Sequence, residues 1–148
     1  MKYEINRGTL AIVPKENVKS IVYEDECTYE VEETPFPIME ESCKYFGSTY
    51  EGRKDGAKEM LGAEYKVPIV IEDSSNLIVF PTTSPLSEDC VWISLKRVEK
   101  IEKIDSNNTK IIFDNKTEII VDSSYRSIEN QLSRASRLDL ILRNHKNS

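Results

Sequence analysis

Apolar side chains recur every three or four residues near the C-terminus, at Ile128, Leu132, Ala135, Leu138 and Leu142. This spacing lines one face of an α-helix, which we predict over residues 125–143. Ser123 and Ser124 precede it, and a serine hydroxyl there can accept a hydrogen bond from a free backbone amide. The helix is therefore expected to close the core of a sheet with its apolar face.

Short apolar runs between turn-forming residues predict two sets of antiparallel strands. In the first set, Arg7-Gly8 joins residues 2–6 to 9–14, and an acidic turn joins 18–23 to 27–31. The second set has strands at residues 67–71, 77–80, 90–94, 98–104, 109–113 and 117–121. We therefore expect an acidic β-meander over residues 1–34 and a second antiparallel sheet over residues 67–122.

Between these sets, residues 38–62 hold the central helical segment. Apolar residues from Ile38 to Phe46 have helical spacing, and Gly47 can end that helix. Residues 49–61 also favour a helix, but Gly52 and Gly56 each cost about 1 kcal/mol there, so a loop with one or two helical turns is an equal alternative. The predicted fold class is α+β: an antiparallel, β-rich single domain over residues 1–148, with this short central segment and a C-terminal amphipathic helix.

The net charge of −6 and the pI near 5.0 argue against indiscriminate binding to polyanions. Residues 1–41 hold ten acids and four bases, whereas residues 92–148 hold eleven bases and eight acids. This asymmetry can orient the protein on a polyanion, although ordinary solvated faces explain it equally well. The apolar runs are too short to span a bilayer and no secretion signal begins the chain, so a cytoplasmic protein without membrane contact is expected.

The sequence lacks the residue patterns of common catalytic and metal sites. The three cysteines, Cys27, Cys43 and Cys90, are widely spaced in apolar or aromatic surroundings, which predicts reduced, buried thiols. Gly47 and Gly52 have the spacing of a phosphate-binding loop, but Arg53 stands where its lysine is required. We therefore expect no enzyme, no metal and no cofactor.

Four separated blocks carry a resemblance to a known family. They are Cys43-Lys-Tyr-Phe-Gly47-Ser-Thr-Tyr50-Glu-Gly52-Arg53-Lys54-Asp-Gly56, Phe80-Pro81-Thr82 with Ser84, Cys90-Val-Trp92-Ile93-Ser94, and Ser124-Tyr125 with Ser127, Glu129-Asn130-Gln131 and Arg134-Ala135. In order and spacing, over about residues 8–138, they resemble the ComK family of competence transcription factors. Longer members of that family continue beyond the final helix, so this chain resembles a shortened member.

The resemblance implies a bacterial activator of genes for DNA uptake and recombination that binds paired A/T-rich boxes through the minor groove and bends DNA. It also implies homo-oligomers, with RNA polymerase and a proteolytic adaptor as further partners, in the cytoplasm and on the nucleoid when bound. In longer members, the segment beyond the final helix is tied to recognition by that adaptor. The alternative is an interaction protein that does not bind DNA and modulates a related regulator by mixed oligomerisation.

The expected DNA contacts lie mainly in the glycine-bordered segment. A/T-rich DNA has a narrow minor groove with intensified negative potential. Arg53 lies between Gly52 and Gly56, which have no side chains to obstruct a close approach, and it is the first candidate to enter the groove. Lys54 is expected on a phosphate, with Lys44 and Arg134 as further candidates. Alternatively Arg53 pairs with Glu51 or Asp55, and Arg134 with Glu129 or Asp139. Core packing is expected for the aromatic residues Tyr45, Phe46, Tyr50 and Trp92, and the alternative for the first three is to stack on bases or wedge between them.

Overall fold

A computed structural model describes residues 2–17 and 19–147. Its strands are β1 (Thr9–Lys15), β2 (Lys19–Glu24), β3 (Thr28–Val31), β4 (Ile69–Glu72), β5 (Leu77–Pro81), β6 (Trp92–Ser94), β7 (Val98–Asp105), β8 (Asn108–Phe113) and β9 (Glu118–Val121). Its helices are α1 (Pro35–Tyr45), α2 (Tyr50–Leu61) and α3 (Tyr125–Lys146). The predicted α+β class, with antiparallel sheets and a long C-terminal helix, is confirmed.

The strands form two antiparallel sheets whose membership differs from the prediction. One sheet has the order β3-β2-β1-β6-β5-β4, and the other has the order β7-β8-β9. Strands β4 to β6 thus extend the first meander, because β6 pairs beside β1 with Ile12 opposite Trp92. The physical reason is burial, because Leu10, Ala11 and Ile12 are almost fully buried. Their backbone N–H and C=O groups therefore require hydrogen-bond partners, which a strand on each side of β1 provides. The predicted second sheet over residues 67–122 is therefore wrong, because only β7 to β9 form it.

The predicted strand at residues 2–6 does not form. Tyr3 and Ile5 are buried as apolar anchors, but the Ile5 amide donates to the Ser42 hydroxyl of α1 at 3.0 Å and to no strand. The predicted hairpin across Arg7-Gly8 is therefore wrong. The hairpins β2–β3 and β8–β9 have the predicted partners.

The central segment forms two helices joined by a tight corner. Gly47 has φ of +84°, and the amides of Gly47 and Ser48 donate to the carbonyls of Lys44 and Cys43 at the end of α1. Thr49 then caps α2, because its side chain accepts from the Gly52 amide at 3.0 Å. Of the two alternatives for residues 49–61, the helix is the one that forms.

Helix α3 has the predicted N-cap, with the Ser124 side chain accepting from the Ser127 amide at 3.2 Å. Its buried face includes Gln131, which is 1% exposed, whereas Leu132 is only partly buried. The Gln131 amide nitrogen donates to the carbonyls of Lys66 at 2.8 Å and Pro81 at 2.7 Å. One polar side chain thereby ties α3 to the end of β5 and to the loop after α2.

Arg97 joins the two sheets. Its guanidinium is hydrogen-bonded to both carboxylate oxygens of Asp114 in the β8–β9 turn and to Asp25 in the β2–β3 turn. It also donates to the Arg7 carbonyl at 3.0 Å. The Arg97 side chain is 17% exposed, so this cluster is a part-buried clamp between the sheets.

Candidate nucleic-acid interface

The corner between α1 and α2 presents cationic and aromatic side chains together. Lys44 lies in the last turn of α1 and is exposed. Tyr45 is 65% exposed and meets Phe46 edge to face, with ring centroids 5.0 Å apart. The expectation that Tyr45 packs in the core is therefore wrong, because it falls on the solvent side of α1 where the helix ends. Tyr50 and Trp92 are core residues, in edge-to-face contact at 6.3 Å.

Arg53 is half-buried at the flank of α2. Among residues 2–17 and 19–147, no carboxylate lies within ion-pair distance of it, and its buried Nε has no hydrogen-bond acceptor. Burial raises the pKa of the nearby Cys43 thiol to about 11, and the positive charge of Arg53 partly opposes that shift. The alternative pairing of Arg53 with Glu51 or Asp55 is therefore wrong.

Lys54, and not Arg53, forms an ion pair with Glu51. Its Nζ lies 3.0 Å from Glu51, an ion pair across one turn of α2. With about 100° between successive residues, Arg53 and Lys54 flank opposite sides of the buried face. The exposed face between them is acidic, with Glu51, Asp55 and Glu59.

Gly52 and Gly56 were expected to leave the backbone around Arg53 free of bulky neighbours. Both glycines instead lie within helix α2. Gly52 lies against its own N-cap, since an added Cβ would meet the Thr49 hydroxyl at 3.0 Å. An added Cβ at Gly56 would find its nearest neighbour, Met60, at 3.8 Å. Close packing at the helix start therefore explains Gly52, whereas nothing within the fold requires a glycine at position 56.

Arg134 lies on α3 and braces the loop that follows α2. One guanidinium nitrogen donates to the Tyr65 carbonyl at 2.8 Å and to the Gln131 side-chain oxygen at 3.0 Å. Its alternative pairing with Glu129 or Asp139 does not form, because Asp139 instead binds Arg143 at 3.0 Å. Lys44 lies on α1, and Arg53 and Lys54 lie on α2. Arg134 is on α3, which contacts α2.

An exposed polar stripe on α3 was not among the predicted DNA contacts. It consists of Arg126, Asn130, Ser133 and Arg137, which lie opposite the buried face. Within the described part of the chain, neither arginine is in an ion pair. These residues are spaced by four, three and four positions. That spacing places them on one face of a helix, so the sequence alone could have indicated this stripe.

Three observations concern thiol chemistry, metal binding and membrane insertion. Cys43 and Cys90 are buried as predicted, but Cys27 is exposed because it lies in the turn between β2 and β3. Across residues 2–17 and 19–147, no three acidic, histidine or cysteine side chains are grouped to hold a metal ion. None of the helices described has the length and apolar character needed to cross a membrane.

The chain is similar to known proteins along nearly its whole length. The family model for the ComK protein matches residues 1–147. The chain belongs to the ComK family. It is 34% identical over 139 residues to a protein named competence transcription factor from Bacillus subtilis (strain 168), covering 92% of this chain and 72% of that relative. No solved structure matches the chain. Membership of the ComK family confirms the resemblance seen in the motifs and indicates a transcription factor and not an enzyme.

Proposed function

We propose that this ComK-family chain binds A/T-rich DNA through the minor groove and activates competence genes. The observation that carries the proposal is Arg53, a half-buried arginine without a carboxylate partner among the described residues, near the corner that exposes Lys44 and Tyr45. An arginine held by its own helix loses little side-chain freedom when it enters a narrow, electronegative groove.

Charge determines how α2 can approach DNA. Its outer face holds Glu51, Asp55 and Glu59, which phosphates would repel. The flank with Arg53, facing the α1 corner, is the approach that avoids these acids. Lys44 then contacts a phosphate, whereas Lys54 contributes less because Glu51 already binds it.

Arg134 is proposed as a second contact from α3. Its hydrogen bonds to the Tyr65 carbonyl and to Gln131 use one guanidinium nitrogen. The remaining donors of the half-exposed side chain are available to a phosphate. Its substitution is expected to affect both stability and affinity.

The remaining partners follow from the family and are proposals for this chain. They are a homo-oligomer on paired A/T boxes, RNA polymerase, and the proteolytic adaptor that controls abundance. The protein is expected in the cytoplasm and on the nucleoid. With a net charge of −6, oligomerisation helps by bringing several basic corners to one duplex.

The test compares Arg53→Ala with wild type on a duplex with paired A/T boxes and on a G/C-substituted duplex, at two salt concentrations. Wild type is expected to prefer the A/T duplex and to weaken as salt rises, because neutralised phosphates release counterions. Arg53→Ala should lose about tenfold or more in affinity, corresponding to roughly 1–3 kcal/mol for a specific contact. Arg7→Ala, which removes the same charge from an exposed turn, is the matched control. Unchanged affinity of Arg53→Ala, with an unchanged melting temperature, would remove Arg53 from the interface.

A second function is favoured by the acidic outer face of α2. An interaction protein that modulates a related regulator by mixed oligomerisation needs no DNA contact and tolerates this face. Its signature is an intact fold with no salt-sensitive binding to the A/T duplex, together with stable association with the related regulator.

A further inference from the structure

Strand β7 is an open edge of the three-stranded sheet. It pairs with β8 on one side, and no strand among the described residues lies on its other side. It spans eight residues, Val98–Asp105, and Lys100 and Ile104 are 60% and 46% exposed. Open edges present unpaired backbone groups that another strand can join.

If two copies of β7 run antiparallel, acidic residues of one copy lie opposite basic residues of the other. The sequence reads Glu99-Lys100-Ile101-Glu102-Lys103. In an antiparallel pair of two copies centred on Ile101, Lys100 lies opposite Glu102 of the second copy and Glu99 lies opposite its Lys103. Both pairs occur twice by symmetry, and the next positions outward, Val98 and Ile104, are apolar.

Other registers lose this match. A shift by one residue in one direction places Glu99 opposite Glu102, and the shift in the other direction places Lys100 opposite Lys103. Like charges directly opposite each other destabilise a pair of strands. The charge pattern therefore selects one register and one occupant of the edge, a second copy of this chain.

We propose that β7 is a dimerisation edge at which two copies join their three-stranded sheets antiparallel about Ile101. Lys100 lies 3.4 Å from Glu102 within its own strand, so the dimer brings four alternating charges together on one face. Lys103 has no ion pair among the described residues, and in the dimer it lies beside Glu99 of the second copy, a carboxylate that also binds its own Lys116 at 2.8 Å. The pairing with β8 is irregular at Val98/Lys100 and at Lys103/Asp105, so the regular stretch of β7 is residues 100–103, which hold the central Lys100 and Glu102 pairs.

A charged edge can also serve only to keep strands apart. Protection requires charges but no particular order of them, whereas dimerisation requires the complementary order. Charge-swap variants separate the two functions. Lys100 and Glu102 suit this test because their side chains are 60% and 45% exposed, and their substitution leaves the core intact.

The experiment is sedimentation velocity over a concentration series without DNA, on wild type, Lys100→Glu, Glu102→Lys, their equimolar mixture and the double variant. We expect wild type to dimerise and each single variant to raise the dimer dissociation constant by about tenfold or more, because two attractive pairs become repulsive. The equimolar mixture and the double variant restore complementary charges and should restore dimerisation. Circular dichroism checks that each variant is folded.

A wild type that stays monomeric at all concentrations, or a dimer that the single variants leave unchanged, would overturn the proposal. Failure of the mixture to recover dimers would do the same. The inference deepens the proposed oligomer on paired boxes, and its measurement is made without DNA. Binding of Lys100→Glu to a duplex with a single A/T box tests the proposed function separately, since β7 is outside the proposed DNA contacts.

Discussion

Replacing Gln131 by glutamate should destabilise the protein strongly although the two side chains have nearly the same shape. In the structure the Gln131 amide nitrogen donates to the Lys66 and Pro81 carbonyls at 2.8 and 2.7 Å, from a position that is 1% exposed. A glutamate carboxylate cannot donate, so both carbonyls lose this partner. The variant keeps an oxygen for Arg134, so the hydrogen bonds lost are the two donated ones, and the new carboxylate oxygen instead faces the two carbonyl oxygens.

The magnitude follows from those bonds. A buried polar group left without its partner costs about 1–3 kcal/mol. The Lys66 carbonyl keeps a longer bond from Arg134 at 3.4 Å, so its loss is partial. We expect a total of about 2–4 kcal/mol, and a fall in melting temperature of roughly 6–12 °C for a chain of this size.

The assay is urea unfolding followed by the fluorescence of Trp92, the only tryptophan, which is 1% exposed. Asn130→Asp is the matched control, because it makes the same amide-to-acid change at the neighbouring, exposed position of α3. The control is expected to unfold close to wild type. If Gln131→Glu unfolds at the same urea concentration as Asn130→Asp, the two donated bonds do not contribute as the structure indicates.

Two further predictions concern stability. Arg97→Ala should lower it by about 1–3 kcal/mol, a range reduced for the half-exposed carboxylate partners. The Arg97 hydrogen bonds lower the pKa of Asp114, so the wild-type contribution is present above the usual pKa of aspartate and is lost as pH falls through the lowered value. Acid titrations of unfolding should therefore differ between wild type and variant, and parallel curves would contradict the clamp. Gly56→Ala should stabilise α2 by about 0.5–1 kcal/mol, whereas Gly47→Ala should cost about 1–2 kcal/mol because its φ is +84°; thermal melts in which both variants shift in the same direction would contradict this reasoning.

The sequence predicted correctly those elements that are specified by residues close together along the chain. The apolar repeat of α3, its Ser124 cap and the turn between β8 and β9 each depend on residues within a few positions of one another. The motif blocks were sufficient for the family as well, because their order along the chain is a property of the sequence. At the candidate site, the predicted cations Lys44, Arg53 and Lys54 do lie on neighbouring helices.

Contacts between distant residues decided the rest. Strand β6 joins β1 across about eighty residues, and Gln131 reaches the Pro81 carbonyl across fifty, so neither pairing leaves a local trace in the sequence. Whether Arg53 is paired or free depends on which side of α2 faces the core, and burial of Tyr50, Ala57 and Leu61 determines that orientation. The sequence by itself therefore determined the helices and turns that short-range spacing specifies, whereas tertiary burial determined the sheet order and the surroundings of the charged side chains. The physical reason is that a period along the chain specifies which face is apolar, but only packing specifies what covers that face.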